Sequence, residues 1–444
     1  MQMRKKIGYA AGDLGISISY FAVGFFFMFY LTDIVGMSPL LAGTVILIGK
    51  LWDGINDPLM GIISDRTRSR FGRKRVYILF GSIPFAISFI LLWIIPVAIN
   101  SWLQFALATA SLLIYATAYS VVAVPYMAMV PVMTQDYDER TQITGIRAIL
   151  STFGTILGGG AALLVSSASD ESLGLRTMAI GFAAFTVISL LIAARSVKNM
   201  ERVTATDTSI VNVSLAKYVA LPKDRNVLIL LVFKFLGAIA TGCLMASIPY
   251  FAVHILGNAG TSTYGIAIYT ATAALLVPVW NKLTHRFDKR RLLLIANSLT
   301  AVLLCCLGLV VQEGSTLLFF AGCLLLGIVM SSYLFIPYSL VPDLVDYYYH
   351  KTGERHESVF FGLWMTVHQL GIAVAGFILG SFLSIYGYDG NASIQPDSAL
   401  LGVRLAFGLI PGVFLVFAAI VLQKYGITRT DYQRIKSELT EKHI

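Results

Sequence analysis

Long apolar runs recur along the whole sequence and limit the folds that this chain can adopt. Each run holds about 20 residues, the helix length needed to cross the roughly 30 Å hydrocarbon core of a bilayer. The 444 residues are 57% hydrophobic and only 13% charged, whereas soluble domains carry about 25% charged residues. Because lipid admits only helices and closed barrels, these runs predict an all-α polytopic membrane protein.

Twelve runs can be separated, six on each side of a polar stretch. The predicted transmembrane helices are residues 8–32, 39–64, 75–98, 102–132, 142–168, 176–195, 226–256, 263–284, 291–311, 316–342, 357–386 and 399–424. We therefore predict an N-terminal six-helix bundle, a cytoplasmic linker, a C-terminal six-helix bundle and a cytoplasmic tail, at residues 1–195, 196–225, 226–424 and 425–444. Two related halves of this kind typically enclose a solute site and alternate its access.

Basic residues are concentrated in alternate loops, most densely in the loop that ends at Arg75. The opposite loops contain only Arg176 among Lys and Arg. Since cytoplasmic loops carry the excess of Lys and Arg, both termini are expected on the cytoplasmic side. The net charge of +9 therefore reflects membrane topology, and no nucleic-acid partner is expected.

The second apolar run carries polar side chains spaced for one helix face. Asp53, Asn56 and Asp57 are three and four residues apart, so they share that face. A charge inside the apolar layer costs roughly 2.5–3.5 kcal/mol even on the lenient insertion scale. Oxygen ligands suit a hard cation such as Na⁺, and a protonated carboxylate would suit H⁺ coupling. The alternative is a structural ion pair with Lys50 or with Arg147 in span 5.

Several short motifs occur in a fixed order along the chain. They are Gly12-Asp13-Leu14-Gly15, Leu31-Thr32-Asp33, Trp52-Asp53-Gly54-Ile55-Asn56-Asp57-Pro58, Gly61-Ile62-Ile63-Ser64-Asp65-Arg66, Gly72-Arg73-Lys74, Pro125-Tyr126, Asp138-Glu139-Arg140, Asp343-Leu344-Val345-Asp346-Tyr347 and Gly353-Glu354-Arg355. With these motifs the chain resembles the glycoside–pentoside–hexuronide cation symporters of the major facilitator superfamily, the group of melibiose permease. The likeness covers nearly the whole chain, and the block in span 2 is its most specific part.

The resemblance implies a major facilitator fold, a bacterial inner-membrane location and no cofactor other than a coupling Na⁺ or H⁺. It implies that the cation is bound by Asp53, Asn56, Asp57 and Ser120, with Na⁺ at Asp53 and Asp57. The sugar-contact positions of the family are occupied here by other residues, namely Ile16, Ser17, Ala123, Met127, Leu334 and Gln369. Only Arg147 matches such a position, so the resemblance supports symport and does not support galactoside specificity.

Candidate solute contacts lie in both halves. The expected substrate-binding residues are Arg147, Tyr126, Trp364, His368, Gln369 and Lys234. Arg147 offers a planar fork of donors to hydroxyls or a carboxylate, and its alternative is a pair with the carboxylates of span 2. Trp364 and His368 are four residues apart on one helix face. Lys234 would reach an anionic group, or pair with a neighbouring helix; His254 is expected to be structural.

Charged residues at the cytoplasmic ends of the spans predict gating contacts. The candidates are Asp65, Arg66, Arg73, Asp343, Asp346 and Arg355. We expect Asp65 to pair with an arginine of its own loop or of a neighbouring span in one state and to release it in the other. Asp343, Asp346 and Arg355 would act in the same way in the second half.

The sequence therefore predicts a secondary symporter that imports a small polar solute, a glycoside, pentoside or sugar acid, with Na⁺ or H⁺ by alternating access. Its expected partners are the solute, a monovalent cation and the bilayer, and a monomer is expected to be functional. One alternative is a transporter of an amphiphile, such as a lysolipid or a drug-like molecule. Another is a receptor that binds a solute without moving it. No nucleotide-binding loop or nucleophile–base pair indicates an enzyme.

Overall fold

The computed structural model describes residues 2–134, 136–198, 200, 221–353, 357–392 and 394–441. Arg355, predicted to act in gating, and most of the predicted linker lie outside these residues. The helices are α1 Met3–Ala22, α2 Pro39–Arg66, α3 Arg75–Leu91, α4 Ser101–Met127, α5 Val130–Met133, α6 Tyr137–Gly159, α7 Ala161–Ser166, α8 Glu171–Ser196, α9 Arg225–His254, α10 Gly260–Arg286, α11 Lys289–Val310, α12 Thr316–Thr352, α13 Glu357–Ile385, α14 Asp397–Phe407, α15 Leu409–Leu422 and α16 Arg429–Glu441. Two π-helical segments, Val23–Phe27 and Tyr30–Ile34, prolong α1, and a 3₁₀ turn covers Leu221–Lys223.

Ten helical stretches of the described chain are long and apolar enough to cross a membrane. The two other predicted spans also form helices. α2 has 28 residues, but Lys50, Asp53 and Asp57 interrupt its apolar sequence. α3 has only 17 residues and is apolar. The all-α architecture is therefore as predicted, and the charges of α2 explain why that helix does not read as an ordinary span.

Two compact units divide the chain. The first contains Met1–Asp207, Met245–Ala267 and Gly376–Val403, and the second contains Thr208–Leu244, Ile268–Ala375 and Arg404–Ile444. The limits of the units fall inside α9, α10, α13 and α14. Within the first unit, Tyr250 near the end of α9 contacts Phe29 and Thr32, and the end of α13 contacts Gly43 of α2. The division into two six-helix bundles stays a prediction.

In the first unit, α1 packs against α6 and α8, and α4 packs against α2 and α3. Small residues allow the close approach of these helices. A Cβ added at Gly154 of α6 would lie 2.6 Å from the Leu14 carbonyl oxygen of α1. Such contacts are typical of membrane helices, which associate through packing of small residues instead of through a hydrophobic driving force.

Glycines also hold the start of α2 against the end of α13. A Cβ added at Gly43 would lie 2.5 Å from the Gly376 carbonyl oxygen and 3.2 Å from the Gly380 Cα. No larger residue fits without moving one of the two backbones. The contact therefore fixes the position of α2 at this end, ten residues before Asp53.

In the second unit, aromatic and aliphatic side chains of α9, α11, α12, α13 and α15 form one buried core. Its largest fully buried members include Phe233 and Trp364, at 0% and 1% exposure. Arg404 donates to the carbonyl oxygens of Gly308 and Val311, which satisfies the last turn of α11. This core surrounds Lys234, a charged residue of α9.

Candidate functional site

The residues predicted to bind a cation meet between α2 and α4. Asp53 and Asn56 are 6% and 7% exposed, and Ser120 is 0% exposed. The Ser120 hydroxyl oxygen lies 2.5 Å from Asp57 Oδ1, across the two helices. We call these four residues, Asp53, Asn56, Asp57 and Ser120, the carboxylate cluster.

Polar atoms of the carboxylate cluster are left without partners. Within the described part of the chain, Asp53 Oδ1 and Asn56 Nδ2 are buried and make no hydrogen bond. The oxygen and nitrogen of an Asn amide exchange places by a half turn, so either can face a ligand. A buried carboxylate oxygen without a donor is costly. The donor set thus fits a hard monovalent cation, which such oxygens would hold as a co-substrate.

Lys50 neutralises one of the two carboxylates. Its Nζ lies 2.9 Å from Asp53 Oδ2, and it also stands 4.8 Å from the centre of the Tyr20 ring. The Lys50 pair considered as an alternative is therefore present. Asp57 has Ser120 as its hydrogen-bonding partner and no base at salt-bridge distance among the described residues. With Lys50 in place, the carboxylate cluster keeps one carboxylate that a bound cation would balance.

Arg147 forms a pair that the sequence did not predict. Its Nε and Nη2 donate to the two oxygens of Asp13 at 2.6 Å and 3.1 Å, so the pair is bidentate. The Tyr126 hydroxyl donates to Asp13 Oδ2 at 2.7 Å, and the Tyr126 ring stacks on Tyr9 with centroids 4.7 Å apart. Arg147 therefore pairs with Asp13 instead of with Asp53 or Asp57. Tyr126 is 0% exposed, and solute contact by either residue stays a prediction.

Three of the predicted solute contacts follow one another along α13 in the second unit. Trp364 is 1% exposed, whereas His368 and Gln369 are partly exposed. Trp364 Nε1 and Gln369 Oε1 are buried atoms without a hydrogen-bond partner among the residues that the structure describes. Lys234 of α9 faces the Trp364 ring at 5.1 Å. The structure thus brings Lys234 and Trp364 together, as the prediction of a shared solute site requires.

The predicted cytoplasmic contacts form within each unit, with lysine instead of arginine. Lys74 Nζ lies 2.7 Å from Asp65, and Lys289 Nζ lies 2.6 Å from Asp343. Asp65 thus has a lysine partner in this structure, and pairing with an arginine in another state stays a prediction. The loop folds back at Gly72, where φ is +103°, and this brings Lys74 to Asp65. Arg66 and Arg73 are exposed.

Asp346, predicted to act in gating, has a tyrosine partner. It accepts a hydrogen bond of 3.1 Å from the Tyr432 hydroxyl of α16. Partial burial, together with the carboxylates of Asp343 and Asp346, raises the pKa of Tyr432 to about 12. The phenol therefore stays protonated at neutral pH and remains a donor to Asp346.

A further cluster lies at the opposite helix ends from the basic loops. The Tyr388 hydroxyl donates to Asp33 Oδ1 at 2.5 Å, and His254 Nε2 lies 2.6 Å from that hydroxyl and 3.1 Å from Asp33. Burial, followed by the Asp33 carboxylate, raises the pKa of the Tyr388 phenol far above its ordinary value. All three residues belong to the first unit. We call Asp33, His254 and Tyr388 the outer latch.

The sequence did not predict the partner of Asp13 or the outer latch. Asp13 lies inside the first apolar run, so its charge is as costly in the apolar layer as that of Asp53. Asp33 belongs to the motif Leu31-Thr32-Asp33, but nothing in the sequence connects it with Tyr388, 355 residues away. An acidic residue within an apolar run can be recognised from the sequence as a candidate functional residue. The residue that pairs with it, on a distant helix, cannot be predicted from sequence spacing.

Known proteins match this chain over nearly its whole length. A family model described as MFS/sugar transport protein matches residues 8–429. An inner membrane symporter of Escherichia coli is 27% identical, with 99% of this chain and 95% of the relative covered. A glucuronide carrier protein homolog of the same organism is 24% identical over 99% and 96%. The sodium-dependent lysophosphatidylcholine symporter 1 of Gallus gallus is 24% identical over 98% and 89%.

Solved structures share the architecture. The inward-open xylose transporter XylE from E. coli matches with a TM-score of 0.70 at 12% sequence identity. The match covers 97% of this chain and 98% of that transporter. At this identity the likeness shows the fold alone, and it confirms the predicted major facilitator fold.

Proposed function

This chain belongs to the MFS/sugar transport protein family, a family of membrane transporters, and from that premise we propose that it is a cation-coupled symporter. The proposed solute is a small polar molecule, a glycoside, pentoside or sugar acid, taken up with Na⁺ or H⁺. Relatives that match nearly the whole chain are themselves named symporters, and one is named a glucuronide carrier homolog. The inner-membrane relative and the basic loops support an inner-membrane location with both termini in the cytoplasm.

The observation that carries this proposal is the carboxylate cluster. Two carboxylates lie in α2, which we predict to span the membrane, and Lys50 pairs with only one of them. The buried Asp53 Oδ1 lacks any donor among the described residues. An intramembrane charge of this kind is expensive unless a partner or an ion balances it. A coupling cation bound by Asp53 and Asp57 would supply that partner.

Coupling follows if the cation and the solute stabilise the same arrangement of the helices. Each ligand then raises the affinity of the other by the same factor. The cation would draw Asp53 and Asp57 together on α2 and compete with Lys50 for the Asp53 oxygens. Movement of one half against the other would then expose the loaded site on the cytoplasmic side.

The test is solute uptake by purified protein in proteoliposomes. A panel of labelled glycosides, pentosides and uronic acids would be offered under an imposed Na⁺ or H⁺ gradient. We expect accumulation that depends on one gradient and is abolished in Asp53→Asn and in Asp57→Asn, because each variant removes a charged ligand. Asp397→Asn makes the same chemical change at an exposed position and should retain uptake. Uptake that survives both cluster variants would contradict the proposed cation site.

A second candidate solute is an amphiphile. The lysophosphatidylcholine symporter matches 98% of this chain, and apolar residues occupy family sugar-contact positions. Two of these, Met127 and Leu334, are 53% and 52% exposed. Gradient-dependent uptake of a fluorescent lysolipid, with no uptake of any sugar in the panel, would favour this candidate over a sugar.

A further inference from the structure

Lys234 is a buried cation without an acceptor. It is 1% exposed, and across the described residues no hydrogen bond or ion pair reaches its Nζ. It lies nine residues into α9, about 14 Å along that helix at 1.5 Å per residue. This depth is close to the middle of a roughly 30 Å hydrocarbon layer. An ammonium carries three N–H donors, and the described residues offer no acceptor for them.

Three aromatic rings surround this ammonium but cannot satisfy its donors. Lys234 Nζ stands 4.9 Å from the centre of the Tyr333 ring, 5.0 Å from that of Tyr338 and 5.1 Å from that of Trp364. Aromatic faces attract a cation, yet they offer no lone pair in the plane where a hydrogen bond forms. The Tyr333 hydroxyl is directed at the Lys234 carbonyl oxygen, 3.4 Å away. The rings therefore hold the charge in place and leave its hydrogen-bonding capacity for something else.

A second unsatisfied donor lies on one of these rings. Trp364 Nε1 is buried and makes no hydrogen bond with the described residues. The centre of the Trp364 ring lies 5.1 Å from Lys234 Nζ. The Trp364 ring is held by an edge contact with Tyr338, centroids 5.9 Å apart. The Lys234 ammonium and Trp364 Nε1 together supply one positive charge and several N–H donors without acceptors. The complementary ligand group carries one negative charge and several lone pairs. A carboxylate has that composition, whereas a phosphate dianion would exceed the single charge of Lys234.

We propose that Lys234 and Trp364 form the binding subsite for a carboxylate of the transported solute, so that the solute is a sugar acid and not a neutral glycoside. This inference rests on the proposed function, because it names the substrate class of the same transporter. Lys234 would bind the carboxylate as its counter-ion, and Trp364 would donate one hydrogen bond and pack against the sugar ring.

The probes are a methyl glucuronide and the matching methyl glucoside, which differ only in the carboxylate. Binding to purified protein would be measured by calorimetry and uptake in proteoliposomes. We expect the wild-type protein to prefer the glucuronide. Lys234→Gln should weaken glucuronide binding about 10- to 100-fold, as expected for a lost hydrogen-bonded charge, and change glucoside binding less than about twofold. Trp364→Phe keeps a ring and should cost the glucuronide about 3- to 10-fold.

Two variants control for indirect effects. Lys282→Gln makes the same change at an exposed lysine of the same unit and should leave both probes unaffected. Lys234→Arg keeps the charge and should keep the preference, which separates loss of charge from loss of folding.

Equal binding of both probes by the wild type, or equal losses in Lys234→Gln, would overturn the inference. Gradient-driven uptake of the glucoside by the wild type at the rate of the glucuronide would overturn it too, and symport would stand. Lys234-dependent glucuronide binding without gradient-driven uptake would retain the subsite and overturn symport.

Discussion

Replacement of Lys50 by glutamine tests whether this lysine competes with the coupling cation. Its Nζ lies 2.9 Å from Asp53 Oδ2, and its side chain is 21% exposed. If Lys50 stayed in place, a cation held by Asp53 and Asp57 would lie about 4 Å from the ammonium, where two like charges repel by about 4 kcal/mol at an effective dielectric constant of about 20. Partial exposure and movement of the flexible side chain reduce this repulsion.

After screening, we expect about half of the repulsion between Lys50 and the cation to remain. Each 1.4 kcal/mol corresponds to a tenfold change in affinity. Lys50→Gln should therefore lower the half-saturating concentration of the coupling cation about 10- to 100-fold. The variant also leaves Asp53 without its pair, so a bound cation becomes more important for stability. We expect the unfolding temperature of Lys50→Gln to rise with added Na⁺, or with acidification if H⁺ is the coupling ion, more steeply than that of the wild type.

The assay is initial solute uptake in proteoliposomes as a function of cation concentration, with choline replacing Na⁺ to keep ionic strength constant. Lys5→Gln serves as the matched control, since it removes a lysine charge at an exposed position. An unchanged half-saturating concentration would refute competition between Lys50 and the cation. A higher one would mean that Lys50 holds Asp53 in the geometry that the cation needs.

The remaining predictions concern the two clusters that the sequence did not reveal. Asp13→Asn should lower the free energy of unfolding by about 3–5 kcal/mol, because Arg147 is then buried without its bidentate partner. The double variant Asp13→Asn/Arg147→Gln should recover part of the loss in thermal unfolding. Since the pKa of Tyr388 is raised, its hydrogen bond to Asp33 persists below the ordinary tyrosine pKa of about 10 and is lost only as pH rises through the folded value. Tyr388→Phe should therefore weaken the outer latch equally at pH 6 and pH 8. The readout is faster labelling by an impermeant thiol reagent of Ser19→Cys, a buried position of α1, after the four native cysteines are replaced by serine. Labelling at the rate found with Tyr388 intact would contradict this.

The sequence predicted those features that repeat at short range. Apolar runs gave the transmembrane helices because burial in lipid demands about 20 such residues in succession. The spacing of Asp53, Asn56 and Asp57 placed them on one face because helix geometry relates residues three and four apart. Helix ends were less predictable, as where α6 ends at Gly159 and a separate short helix follows.

Contacts between distant helices could not be predicted in the same way. Asp13 and Arg147 are 134 residues apart, and a pair of this kind depends on which helices are neighbours. Ser120 was placed beside the carboxylates only through the family resemblance. The rings around Lys234 come from α12 and α13, and no local pattern in α9 signals them.

Because the glycine contact with α13 holds the start of α2, we expect α2 to tilt about Gly43. Gly43 meets the backbone of α13, and the Ile46 side chain packs against Gly376, so this contact lies within the first two turns of α2. From Gly43 to Asp57 is about 21 Å along the helix and to Asp65 about 33 Å, at 1.5 Å per residue. A tilt of about 10° would therefore move Asp57 by about 4 Å and Asp65 by about 6 Å. The second displacement exceeds the 2.7 Å that separates Lys74 from Asp65. If Asp53 and Asp57 bind the proposed cation, a small rotation of α2 on binding would therefore separate this ion pair.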